Sequence, residues 1–139
     1  MQFGGINWLA VAIAAVAGYG VGMAWYMILG KRWMAANGLT EDVLKAGGIR
    51  GTMPFILAAL VNVAISIGFA GLLGHLGIGQ TTLRNAIISA IALWFVFILS
   101  TIAVNYSFAR RPSVLIAIDG GHWLVVMLVM GAILGLMGV

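Results

Sequence analysis

The chain has 139 residues, of which 63% are hydrophobic and only 7% charged, and its mean hydropathy is +1.15. A soluble domain carries about a quarter charged residues, so a water-soluble globule is excluded. No cysteine is present, which rules out disulfides, thiolate zinc sites and iron–sulfur clusters, while the net charge of +4 sits on basic residues at the ends of apolar runs, where it orients spans rather than gripping nucleic acid.

Four apolar runs, at about 6–29, 53–74, 84–108 and 113–137, are each long enough to cross a hydrocarbon core of roughly 30 Å as a helix. A helix is the form that satisfies backbone amides within the segment in lipid. The chain is therefore predicted to be an all-α bundle of four transmembrane helices, a single integral membrane domain over 1–139 with short loops. Ala15-Val16-Ala17 before Gly18 has the small-residue form of a signal cleavage site. Residues 1–7 hold no lysine or arginine for a basic leader, however, so the first run is read as retained.

In the first run, Val11, Ala14, Ala15, Gly18, Gly22 and Trp25 share one narrow face at 100° per residue. Gly18-x-x-x-Gly22 permits close helix approach, either within the bundle or in a homodimer seam. Trp25, Tyr26 and Trp33, beside Lys31 and Arg32, are read as interfacial anchors. The polar stretch 30–52 is read as a connector holding one short surface helix, and as a candidate docking element for a protein partner. Thr40 is its N-cap, Glu41 and Asp42 suit the helix dipole, Gly47-Gly48 ends it, and Pro54 fits the first turn of the next span.

The second run puts Asn62 and Ser66 on a face with Ala58, Ala59 and Phe69, and Ala64, Gly68 and Gly71 on the opposite one. The glycine-rich loop 75–82 lacks the lysine and strand context of a phosphate loop. In the third run Trp94, Ile98, Thr101 and Asn105 line one face, and Arg110-Arg111-Pro112 forces a tight turn. The fourth run carries Asp119, His122 and Trp123 together, with Ala117, Gly120, Gly131 and Gly135 on a second face. Lys31, Arg32, Lys45, Arg50, Arg110 and Arg111 fall on one side of the membrane and only Arg84 on the other. The positive-inside rule then places 30–52 and 109–112 in the cytoplasm of a cell inner (cytoplasmic) membrane, with both termini outside.

Counted from the cytoplasmic ends at about 1.5 Å per residue, Asn62, Asn105, Asp119 and His122 come to similar depths in three separate helices. They form the predicted intramembrane polar cluster, with Ser66, Thr101 and Tyr106 at its periphery. An aspartate at a span centre costs about 2.5–3.5 kcal/mol to insert, so it should face the interior and meet a donor. Asn62, Asn105, Tyr106 and His122 are the candidates. Two readings stand open: hydrogen-bond glue between helices, or a wet cavity that binds a solute or relays protons. Asp119, the one aspartate within a span, and two histidines, with His75 on the far side, make no metal site, no cofactor is implied, and no serine or cysteine nucleophile lies beside a base.

Trp25-Tyr26, Gly30-Lys31-Arg32-Trp33-Met34 and Gly38-Leu39-Thr40-Glu41-Asp42 resemble the first half of a group of small bacterial membrane proteins, the domain of unknown function 1761 family. Asn105-Tyr106, Arg110-Arg111, Asp119-Gly120-Gly121-His122-Trp123-Leu124 and Met130-Gly131-Ala132-Ile133-Leu134 are similar to its second half. Met27-Ile28 departs from the serine–proline pair of that pattern, and with it goes any sharp bend there. The resemblance implies a four-helix membrane fold and brings no activity, substrate or catalytic residue. Gly18, Gly22, Gly68, Gly71, Gly131 and Gly135 are read as helix-packing positions, and the leading functional expectation is a non-enzymatic homo-oligomer, self-associating through glycine-rich faces, whose cluster handles protons or a small solute. The alternatives are a structural or partner-binding subunit and, third, a membrane-embedded enzyme acting on a lipid-like substrate.

Overall fold

The computed structural model describes residues 5–45 and 49–139, and among these there are helices and turns but no strand. Four helices are long and apolar enough to cross a membrane: Trp8–Asn37, Gly51–Gly74, Leu83–Phe108 and Ser113–Met137, called here the first to fourth spans.

The first span starts where the Asn7 side chain accepts the Ala10 amide at 3.1 Å, a side-chain N-cap. It then runs 30 residues to Asn37, eight beyond the predicted end. Gly30 does not stop it, since one interior glycine costs only about 1 kcal/mol against alanine. The stop comes at Gly38, whose φ of 67° lets the Gly38 amide reach the Ala35 carbonyl and the Leu39 amide reach Met34 at 2.9 Å. Much of the predicted connector is thus helix. What remains carries the short helix Glu41–Lys45, with Glu41 and Asp42 in its first turn. The expected break at Gly47-Gly48 lies outside the described residues. The next helix begins at Ile49, so Pro54 stands in its second turn rather than its first.

The third span opens on Thr82, whose hydroxyl accepts the Asn85 amide. Midway, Trp94–Leu99 adopts π-helical hydrogen bonding. Arg110, at φ 51°, closes the span in the left-handed region, with the Arg111 amide bonded to the Tyr106 carbonyl at 2.9 Å. Pro112 then leads directly into the fourth span.

The first and fourth spans form the central pair, the second packs on the first, and the third packs on the fourth. Ala10, Val11 and Ala14 of the first span, Phe69, Ala70 and Leu73 of the second, Ala86 and Ala90 of the third, and Val126, Met130 and Leu134 of the fourth make one core. Small residues set the spacing, because without water between helices it is close van der Waals contact that holds them. A methyl group on Gly135 would stand 2.8 Å from the Leu83 Cα, and one on Gly131 3.1 Å from the Ala86 carbonyl oxygen. The Asn7 amide reaches the Met137 carbonyl at 3.1 Å, tying the start of the first span to the end of the fourth.

Candidate functional site

Asp119 sits two turns into the fourth span and is 6% exposed. Its Oδ1 accepts the Tyr26 hydroxyl at 2.6 Å, and its Oδ2 accepts the Tyr106 hydroxyl at 2.7 Å and the Trp33 indole N–H at 3.4 Å. Donors from the first and third spans thus close on a carboxylate of the fourth. Hydrogen bonds to an ionised acceptor are roughly twice as strong as neutral ones, so the two short hydroxyl contacts dominate.

The backbone around Asp119 is gripped as well. The Trp25 indole donates to the Ile118 carbonyl at 3.0 Å, and the Trp94 indole to the Gly120 carbonyl at 2.8 Å. A carbonyl has two lone pairs, so these bonds need not displace those of the helix. Gly120 and Gly121 make room for this grip. A methyl group on Gly121 would lie 3.0 Å from the Trp25 ring, and one on Gly120 2.8 Å from a Leu99 methyl.

One turn along, His122 is buried among the rings of Trp123 at 5.0 Å, Tyr26 at 5.3 Å and Trp25 at 6.5 Å. Neither ring nitrogen has a hydrogen-bond partner. Its Nε2 is 3.0 Å from where a Cβ on Gly22 would stand. Asn62 is also buried. Its amide nitrogen donates to the Ala58 carbonyl at 2.9 Å, whereas its Oδ1 is unpartnered and would be 2.6 Å from a Cβ on Gly18. Ser66 donates to the Val11 carbonyl at 2.8 Å.

The model of a family described as a protein of unknown function, DUF1761, matches residues 9–135. The chain belongs to the DUF1761 family. No curated protein and no solved structure matches it. The match takes in the whole Asp119 centre of this DUF1761 chain.

Of the residues predicted for the cluster, Asn62, Asp119 and His122 are interior. Asn105 is exposed on the outer side of the third span, as is Thr101, and neither meets Asp119. Tyr106 turns inward in their place. The cause is the π stretch: bonding from i to i+5 fits one extra residue into the turn and sets every later side chain back by one position. The predicted face of Trp94, Ile98, Thr101 and Asn105 becomes Trp94, Ile98, Ile102 and Tyr106, all half-buried.

Trp25, Tyr26 and Trp33, read as interfacial anchors, donate into the fourth span instead. Their spacing of seven and eight residues puts them on one face once the helix is continuous through Gly30, and that periodicity was the available signal. Trp94, expected only to share a face with Ile98, Thr101 and Asn105, is a donor to the fourth span. At the end of the bundle Arg111 donates to the Asn37 side chain at 3.0 Å, and Asn37 donates to the Trp33 carbonyl at 2.9 Å. Arg110 is exposed. Gly18, Gly22, Gly131 and Gly135 pack inside the chain; Gly71 is buried, and the position of a Cβ on Gly68 is open.

Proposed function

We propose that this DUF1761 protein is an integral protein of the cytoplasmic membrane whose Asp119–His122 centre binds and releases protons or a small solute, without covalent catalysis. One observation carries the reading: all three side-chain donors to Asp119 are neutral hydroxyl or indole groups, and the neighbouring histidine keeps both ring nitrogens free. Neutral donors stabilise a carboxylate but leave its charge in place. A proton or a cationic group balances that charge, and an intramembrane ionisable residue is by default a functional one. In proteoliposomes, Asp119→Asn should abolish a pH-driven flux seen with the native protein. Equal flux through the variant would remove Asp119 from the function.

The Arg111–Asn37 bond supports placing 30–52 and 109–112 on one side, and the lysine and arginine count favours the cytoplasm for it. Self-association belongs to the same proposal. Its seam falls on the outer face of the third span, where Asn105 is exposed beside Thr101 and its amide can both donate and accept across a two-fold axis. A second reading, a partner-binding subunit, draws on the short helix Glu41–Lys45, where Val43 is 60% exposed beside Glu41 and Asp42. Deleting 40–45 should then release a co-purifying protein while leaving the membrane bundle intact.

A further inference from the structure

Resting on the reading of Asp119 above, we infer that the species handled is the proton and that it moves along a single column of buried polar side chains lying against one face of the first span. Among the described residues the buried polar and charged side chains are Asn62, Ser66, Asp119 and His122. Each meets the first span in turn: Asp119 at Tyr26, His122 at Gly22, Asn62 at Gly18 and Ser66 at Val11. Positions 26, 22, 18 and 11 lie on one helical face, in steps of about 6, 6 and 10 Å along the axis. Together these steps span roughly 22 Å of a hydrocarbon core of about 30 Å.

The column ends differently on its two sides. At one end, Asp119 is capped by Trp33, itself tied to Asn37 and Arg111 at the end of the bundle, where Arg111 is exposed. At the other, one turn beyond Ser66, Ala70 joins Ile6, Gly74, His75 and Thr81 around a cavity of about 470 Å³.

Close packing selects the cargo. The Asn62 Oδ1 and both His122 nitrogens are fully enclosed, and the two side chains lie directly against the first-span backbone at Gly18 and Gly22. A solute would have to prise the spans apart. A proton needs only water molecules admitted one at a time, and the unmade bonds at Asn62 and His122 are the ones such waters would form. In the transfer, the Asp119 carboxyl O–H breaks as its proton passes to an admitted water, which gives one of its own protons to a His122 ring nitrogen. The imidazolium then releases a proton from its other nitrogen to a water, which hands it on past Asn62 and Ser66. No electron changes hands, and the charge on each station is restored by the next proton.

The test uses the full chain in liposomes holding a pH-sensitive dye, with a potassium diffusion potential as the driving force. Asn62→Leu and Ser66→Ala should each cut proton entry to about a tenth or less, on the scale of a lost positioned hydrogen-bonding group. Ser66→Cys, which keeps a small polar group, should restore most of it, and Thr101→Ala, off the column, should leave it unchanged. If Asp119→Asn stops the flux while Asn62→Leu and Ser66→Ala conduct normally, the column is overturned and the Asp119 centre stands. If the native protein conducts no protons, the proton column is overturned and the Asp119 centre keeps its small-solute reading; if Asp119→Asn and the column variants all match the native flux, both fall. Elution as a single species in detergent establishes that each variant is folded, and Asn62→Ala is read in place of Asn62→Leu where the latter does not pass.

Discussion

Tyr26 and Tyr106 show how much of one residue's meaning depends on what faces it. Asp119 and His122 stood out in the sequence because an ionisable group inside an apolar run is a costly exception, whatever surrounds it. Their aromatic partners did not stand out, since a tyrosine or tryptophan near a span end has the same local signature whether it anchors at the headgroups or donates to a buried acceptor. The energetics separate the two roles. Tyr26→Phe removes a 2.6 Å bond to the carboxylate and should lower stability by about 1.5–3 kcal/mol, whereas Trp33→Phe, at 3.4 Å, should lower it by less. Unfolding in mixed detergent, followed by tryptophan fluorescence for the tyrosine variant and by circular dichroism for both, ranks them. An equal loss would contradict the geometry. Gly18→Val is a separate matter of space: its side chain would enter the position held by the Met130 methyl and the Asn62 Oδ1, and overpacking of this kind costs about 1–3 kcal/mol.

At the scale of elements, two helices differ from their predicted outlines for two reasons. The first span outran its charged residues. Lys31 and Arg32 suggested a boundary, yet a helix ends where its last carbonyls find other partners, and that place is Gly38. Gly38→Ala, forced into a left-handed conformation at φ 67°, should destabilise by roughly 1–2 kcal/mol, read from the same detergent unfolding. The third span hides its change of register, because Trp94-Phe95-Val96-Phe97-Ile98-Leu99 would serve an α-helix equally well. Deleting Val96 should remove the extra residue, return this stretch to α geometry and leave the later faces in place. In the cysteine-free background, a thiol placed at 105 should label readily and a thiol at 106 poorly, both before and after the deletion. An exchange of the two labelling patterns on deletion would mean that the π turn does not set the face.

Across the whole molecule, four spans with polar interior faces were legible because length and apolarity leave few alternatives. Their side-by-side order, second–first–fourth–third, was not: any of several arrangements would bury the same glycines, and only complementary shapes at Gly131 against Ala86 and Gly22 against His122 choose among them. The faces of Gly18, Gly22, Gly131 and Gly135 are filled within the chain, so the proposed association between copies would use other surfaces. Asn105→Leu should therefore shift the detergent-solubilised complex toward the mass of a single chain, as measured by light scattering, while Gly68→Ala should not.

The Arg111–Asn37–Trp33 contacts have one more consequence. Arg111 is exposed at the bundle end, where anionic lipid phosphates would compete for its guanidinium. A headgroup that drew Arg111 away would free Asn37, unbrace the last turn holding Trp33, and withdraw the weakest of the three donors from Asp119. The charge density of the leaflet at that end would thereby become a dial on the chemistry of a buried carboxylate.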